Sequence, residues 1–200
     1  EEAVFDNEIR RAEQLTVLHG QKQPVSVISL KIKNNVSGIS KGSINSGLEY
    51  AYKKKAVSYN SGDHILLIFS PLLTRTMNNE ETAIKVAVEI ENILKEHNRK
   101  FRNDLIKFGI GVNGGDLINK MAGKILQFTN ISNTINLAKR LAEASGEQVL
   151  LSKQIHEKTL SNIRAEKATT GTLEAFAIKR VVDTEKSAKF IQGFLRRNNP

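Results

Sequence analysis

Apolar residues recur along this chain at two spacings. Phe5, Ile9, Ala12, Leu15 and Leu18 stand at helical intervals with charges between them, and His19, Gly20 and Pro24 close that segment. From Val25 to Lys33 the period changes to two. VSVISLKIK sends Ile28, Leu30 and Ile32 to one side and Val27, Ser29 and Lys31 to the other, the alternation of a strand. Asn34 to Ser43, rich in Asn, Ser and Gly, predicts a loop, and Ile44 to Lys54 a short helix. AVSY and HILLIFSP predict two tightly joined strands, with Gly62 and Asp63 at or beside the tip of the hairpin.

The clearest helix runs from Glu80 to Phe101, with Ala83, Val86, Ala87, Ile90, Ile93 and Leu94 on one face. LIKFGIGVNGG is again a strand, carrying Ile106, Phe108, Ile110 and Val112 on one side and Lys107, Gly109, Gly111 and Asn113 on the other; the glycine side leaves room for a close neighbour. A helix over Ser132 to Ala144, the strand QVLLS, a short helix from Lys153 to Leu160, strands around Ile163 to Lys167 and Leu173 to Val182, and a helix from Thr184 to Arg197 complete the reading. Strand, helix, hairpin, helix, strand is the order of a ferredoxin-like α+β sheet, with helices on one face and the other face open. Three parts are expected: an N-terminal helix over 1–22, the main domain over 23–183, and a basic C-terminal helix over 184–200.

Two hundred residues, 40% of them hydrophobic, suffice for one domain with a proper core. With no cysteine, disulfides and zinc-thiolate sites are excluded, which agrees with a cytoplasmic location. The four histidines, His19, His64, His97 and His156, lack metal-ligand spacing and are expected on the surface or in strands. No apolar run approaches the roughly 20 residues that span a bilayer, and EEAVFDNEIRR has no apolar core of a secretory signal. The net charge of +9 favours polyanions, nucleic acid included, although only Lys53 to Lys55 form a run and aromatics are sparse.

Several stretches resemble the class III nucleotide cyclase catalytic domain, from about Val25 to Val182. FTNISNTINLAKRLAEASGEQVLLS is similar to the segment in which a glycine-rich turn leads into a helix bearing an asparagine and an arginine, followed by a strand. SGDHILLIFS resembles the family's hairpin with its metal-binding aspartate, GIGVNGGDLI its strand of small residues near the phosphates, and AFAIKRVVD its closing strand. The resemblance implies a palm-like α+β fold, a purine nucleotide ligand, and a homodimer or a pairing with a competent cyclase subunit. It also implies two magnesium ions held by two aspartates, because each divalent ion needs an anionic oxygen.

Carried over, the metal-binding hairpin aspartate is Asp63, but the first-strand aspartate falls on Lys31. An ammonium there removes a metal ligand and adds repulsion, so the expected arrangement is a pair between Lys31 and Asp63 on neighbouring strands, the cation standing in for a metal. Asn136 and Arg140, four residues apart, fall on the asparagine that orients the ribose and the arginine that stabilises the transferring phosphates, a role suited to a guanidinium fork. The base-reading positions correspond to Tyr59 and Thr129, which carry no purine code of the usual kind. The stretch from Lys31 to Asp63 is short for the family and lacks its phenylalanine-threonine pair. NGGDLI resembles the signature of diguanylate cyclases, but stands a helix and a strand too late in the chain and predicts a loop at a strand end.

Three functions follow from these residues. One is a degenerate cyclase-like pseudoenzyme that dimerises or binds nucleotide in signalling, with the glycine-lined face open to a second copy. Another is an active purine nucleotide cyclase, with carboxylates completed by a partner. The last is a basic nucleic-acid-binding protein on a palm scaffold, with KSAKFIQGFLRRNNP as its contact.

Overall fold

A computed structural model describes residues 20–129 and 132–182 of the chain. The expected helices over Phe5 to Leu18 and Thr184 to Arg197 lie outside the described residues. The order of elements is β1 (Gln21–Ile32), α1 (Gly38–Lys53), β2 (Val57–Ser61), β3 (His64–Phe69), α2 (Pro71–Thr74), α3 (Glu80–Lys100), β4 (Phe108–Ala122), β5 (Ile125–Phe128), α4 (Asn133–Ala144), β6 (Val149–Ser152), α5 (Lys153–Lys158), β7 (Ile163–Thr170) and β8 (Leu173–Val181). The strands form one sheet in the order β2-β3-β1-β4-β6-β8-β7, with β5 paired to β4. Among the described residues only β4 and β6 pair in parallel. Its first half, β1-α1-β2-β3-α3-β4, has the ferredoxin-like connection expected.

The alternation in β1 places Ile28 and Leu30 in the main core with Phe108, Ile110 and Val112 of β4. Against this face pack α1, through Ile44 and Ala51, and α3, through Ala83, Val86, Ala87, Ile90 and Leu94. Ile93 is only half-buried, and Ile84 is sealed in its stead.

Two expectations about local structure change. Helix α1 begins at Gly38, within the stretch expected to be a loop, because the Ser37 hydroxyl accepts the Ile39 and Ser40 amides at 3.1 and 3.3 Å and so caps the first turn. NGGDLI is no terminal loop: Asn113 to Ile118 lie within β4. Strand β1 starts at Gln21 and supplies antiparallel partners out to Gln21↔Asn119, so the glycines are held in a ladder.

The second face of the sheet is not open. Helix α4 lies on it, with Ile135 and Ala138 among Val25, Val27, Leu66, Ile68 and Leu117. The glycines make this approach what it is. A Cβ at Gly109 would stand 2.0 Å from the Ala142 carbonyl oxygen, and one at Gly111 2.3 Å from that of Ala138. The space they leave is filled by the chain's own helix, not by a second copy. Among the described residues no helix is long and apolar enough to cross a membrane.

Gly111→Ala therefore cannot be absorbed by a rotamer change, because backbone meets backbone. The substitution is expected to cost about 3 kcal/mol in urea unfolding by driving α4 off the sheet. A loss under about 0.5 kcal/mol would mean that the contact is slack.

Candidate functional site

On the face under α4, register brings the polar residues of β1 opposite small or polar neighbours. Ser29 pairs with Gly111 and Lys31 with Gly109 on one side, and Lys31 pairs with His64 of β3 on the other. Gly62 (φ +63°) makes the turn that leaves Asp63 just before β3. Helix α4 crosses above them and contributes Glu143 from its last turn.

These groups form one ionic cluster. Lys31 Nζ lies 2.9 Å from Asp63 Oδ2 and 3.4 Å from Glu143 Oε1, so one ammonium is shared by two carboxylates. Beneath it, the buried His64 has Nε2 at 3.4 Å from Asp63 Oδ1 and 3.3 Å from Glu143 Oε1, while Nδ1 meets Ser29 Oγ at 2.9 Å. Carboxylates only accept, so the ring proton belongs on Nε2, and Ser29 donates to Nδ1. Ser29 is fully sealed from solvent, so it orients the ring and cannot serve as a nucleophile.

The charges shift one another accordingly. The Asp63 hydrogen bond raises the Lys31 pKa, and the Lys31 hydrogen bond lowers that of Asp63. Burial alone would push Glu143 up, but the His64 hydrogen bond and the Lys31 charge outweigh it and hold it low. Burial holds His64 below the usual histidine range despite both carboxylates.

The donor set does not fit a two-ion magnesium site. Where two carboxylates would need a divalent ion between them, the Lys31 ammonium already stands, and it would repel any ion brought to Asp63. Among the described residues no group of three or more His, Asp or Glu side chains could hold a metal.

The remaining sequence-derived positions stand on α4 and beside β5. Asn136 and Arg140 are exposed on α4, on the helical face that also carries Glu143. The neighbouring Lys139 donates to Ser61 Oγ of β2 at 3.2 Å. Tyr59 of β2 sets its ring edge-on to Phe128 of β5 at 5.2 Å between centroids, and Thr129 follows Phe128, its amide bonded to the Ile118 carbonyl at 3.1 Å. Tyr59 and Thr129 thus both adjoin Phe128.

Sequence reasoning missed Glu143 and His64. Glu143 was legible as the third member of an i, i+4, i+7 series with Asn136 and Arg140. The expectation that histidines lie on the surface or in strands fails at His97, which is buried in α3. Its Nδ1 meets Ser43 Oγ at 2.9 Å and its Nε2 donates to the Asp104 carbonyl at 2.7 Å, tying α1 to the end of α3.

No protein-family model and no curated protein sequence matches the chain. Among solved structures it is similar to the guanylyl cyclase Cya2 (15% identity, TM-score 0.64, covering 82% of this chain and 95% of that one). The adenylyl cyclase CyaB from P. aeruginosa gives 16% identity and a TM-score of 0.63 over 82% and 98% of the two chains. The guanylate cyclase domain of RhGC from Catenaria anguillulae, solved in complex with GTP, gives 16% and 0.61 over 80% and 99%.

The cluster makes stability pH-dependent with a defined sign. The folded His64 pKa lies below its ordinary 6.5, so the unfolded chain binds more protons and stability falls as pH drops below that value. Asp63 and Glu143, held below their ordinary 3.8 and 4.5, add a second loss as they protonate. In urea unfolding from about pH 8 to pH 4, His64→Gln should abolish the first loss and keep the second. A wild-type profile flat between about pH 7.5 and 5.5 would remove His64 from this account.

These comparisons fix the architecture: the chain carries the fold of the class III adenylyl and guanylyl cyclase catalytic domains.

Proposed function

We propose that this chain is a degenerate nucleotide cyclase-like domain, a pseudoenzyme that dimerises and binds purine nucleotide in signalling without two-metal catalysis. The observation that carries this reading is the Lys31 ammonium lodged between Asp63 and Glu143. The cation is supplied by the chain itself, so nucleotide phosphates reaching this face meet Arg140 and Lys139 in place of bound magnesium. The exposed guanidinium of Arg140 suits bidentate contact with phosphate oxygens. In this reading Asn136, one turn earlier on the same face, takes the ribose, and Tyr59 and Thr129, both beside Phe128, take the base. GTP is the ligand of the RhGC domain; here it is a proposal.

Pairing through the α4 face follows from the same reading. With the glycines already covered, a second copy would meet the exposed side of α4 rather than the bare sheet. The exposure of Asn136 and Arg140 also favours a second reading, an active mixed dimer in which these two residues complete a site whose carboxylates belong to the partner. Nucleic-acid binding gains no support from the comparisons.

Calorimetric titration with ATP and then GTP, each with and without magnesium, separates these readings. The pseudoenzyme should bind at least one nucleotide whether or not magnesium is present, and Arg140→Ala should weaken that binding about tenfold. Binding that requires magnesium, with cyclic product appearing on addition of a competent partner, would favour the active dimer. Lys31→Asp should then raise turnover. No heat with either nucleotide would overturn the nucleotide-binding reading.

A further inference from the structure

Away from the ionic cluster, at the other end of α4, lies an open pocket of about 510 Å³ with mixed polar and apolar walls. Lys22 of β1, Asn113 and Asp116 of β4, Asn133 and Thr134 of α4, and Gln154 of α5 stand in its wall. We propose that it binds a small oxyanion carrying its own proton, hydrogen phosphate being the simplest case, either free or as part of a hydroxylated phosphate ester.

Two independent observations carry the proposal. The first is an orphaned acceptor. Asn113 is 3% exposed; its Nδ2 donates to the Thr134 carbonyl at 2.8 Å, which fixes the amide orientation and leaves Oδ1 with no hydrogen-bond partner. A buried carbonyl oxygen without a donor is costly and rare, and it asks for an O–H or N–H.

The second is a set of donors in the same wall. Helix α4 presents its N-terminal end here, its Ser132 cap engaging Ile135 at 3.1 Å, while Asn133 and Thr134 precede that amide and line the cavity. Such an end favours anions through its amides and its dipole. The flank of β4 adds to it. The Ile118 carbonyl accepts from Thr129 on the side away from β1, so the peptide groups of Gly114 and Asp116, two and four residues earlier, face the same way. The Asp116 carbonyl is occupied by Thr134 Oγ1 at 2.9 Å. Pairing of β4 with β6 stops at Val112, so among the described residues no strand covers Gly114 on that side.

A purely anionic ligand would satisfy the helix end and leave Asn113 Oδ1 unmet. A neutral donor would do the reverse. A protonated oxyanion serves both. Asp116 works against it, but its carboxylate is drawn to Lys22 at 3.1 Å at the mouth. That pair sets the affinity, and it is exposed enough to alter without touching the fold.

Titrations of the isotope-labelled chain with inorganic phosphate, sulfate and glycerol 3-phosphate at constant ionic strength, followed by amide NMR, test the proposal. Phosphate should shift the amides of Gly114, Gly115, Asp116 and Thr134 saturably. Sulfate has the same shape but no proton at neutral pH, and should bind about tenfold more weakly. Asp116→Asn, which removes the repulsion and frees Lys22, should tighten phosphate about threefold, and Lys22→Gln should weaken it. Tighter binding of glycerol 3-phosphate than of phosphate assigns the site to an ester, and the reverse to the free ion. Equal binding of sulfate and phosphate, shifts centred elsewhere, or no gain in Asp116→Asn would overturn the proposal.

Discussion

The structure depends on how closely α4 can lie on the sheet. Gly109 and Gly111 allow helix backbone to touch strand backbone, and no other residue type would fit at those distances. That approach brings Glu143 over Lys31, seals Ser29 and His64 beneath, and holds Asn136 and Arg140 at a fixed height above the sheet. Lys33 secures the same helix at its C-terminal end, donating to the Glu143 and Ser145 carbonyls, a natural partner for the negative end of a helix.

The ionic cluster then follows from charge balance. Two carboxylates brought together on one face repel each other, and a cation between them offsets that repulsion. Here Lys31 supplies it covalently. The buried histidine stays neutral because burial outweighs both carboxylates, and it spends its single ring proton on them. The cyclase-like architecture thus carries a charge arrangement of its own at this face, and a shared fold does not by itself imply a shared function.

Much of the fold was legible because periodicity reports burial directly. The period-two pattern of Val25 to Lys33 and the helical face of Glu80 to Phe101 correspond to β1 and α3. The glycine side of β4 was legible as a close approach, but not what approaches, since that is decided by the connection through β5. Ser37 carried a cap signal hidden in a run of loop-forming residues. NGGD has loop composition, and the long partner strand β1 overrides it. At the site, the pairing of Lys31 with Asp63 could be read from strand order, whereas Glu143 required knowing which face α4 covers. His97 shows the limit of composition: its buried ring is satisfied by the Ser43 hydroxyl, 54 residues away in sequence, and by the Asp104 carbonyl beyond the end of its own helix.

The surroundings of Lys31 also bear on how this chain could change over generations. A carboxylate at that position would join Asp63 and Glu143 beside a neutral imidazole, making three carboxylates with no ammonium between them. The lysine is held in place by its neighbours: Asp63, Glu143 and His64 are arranged around its charge, so reversing the charge at this one position costs more than removing any one of them. Substitution is therefore freer on the outer surface of α4 than at this single buried-edge cation.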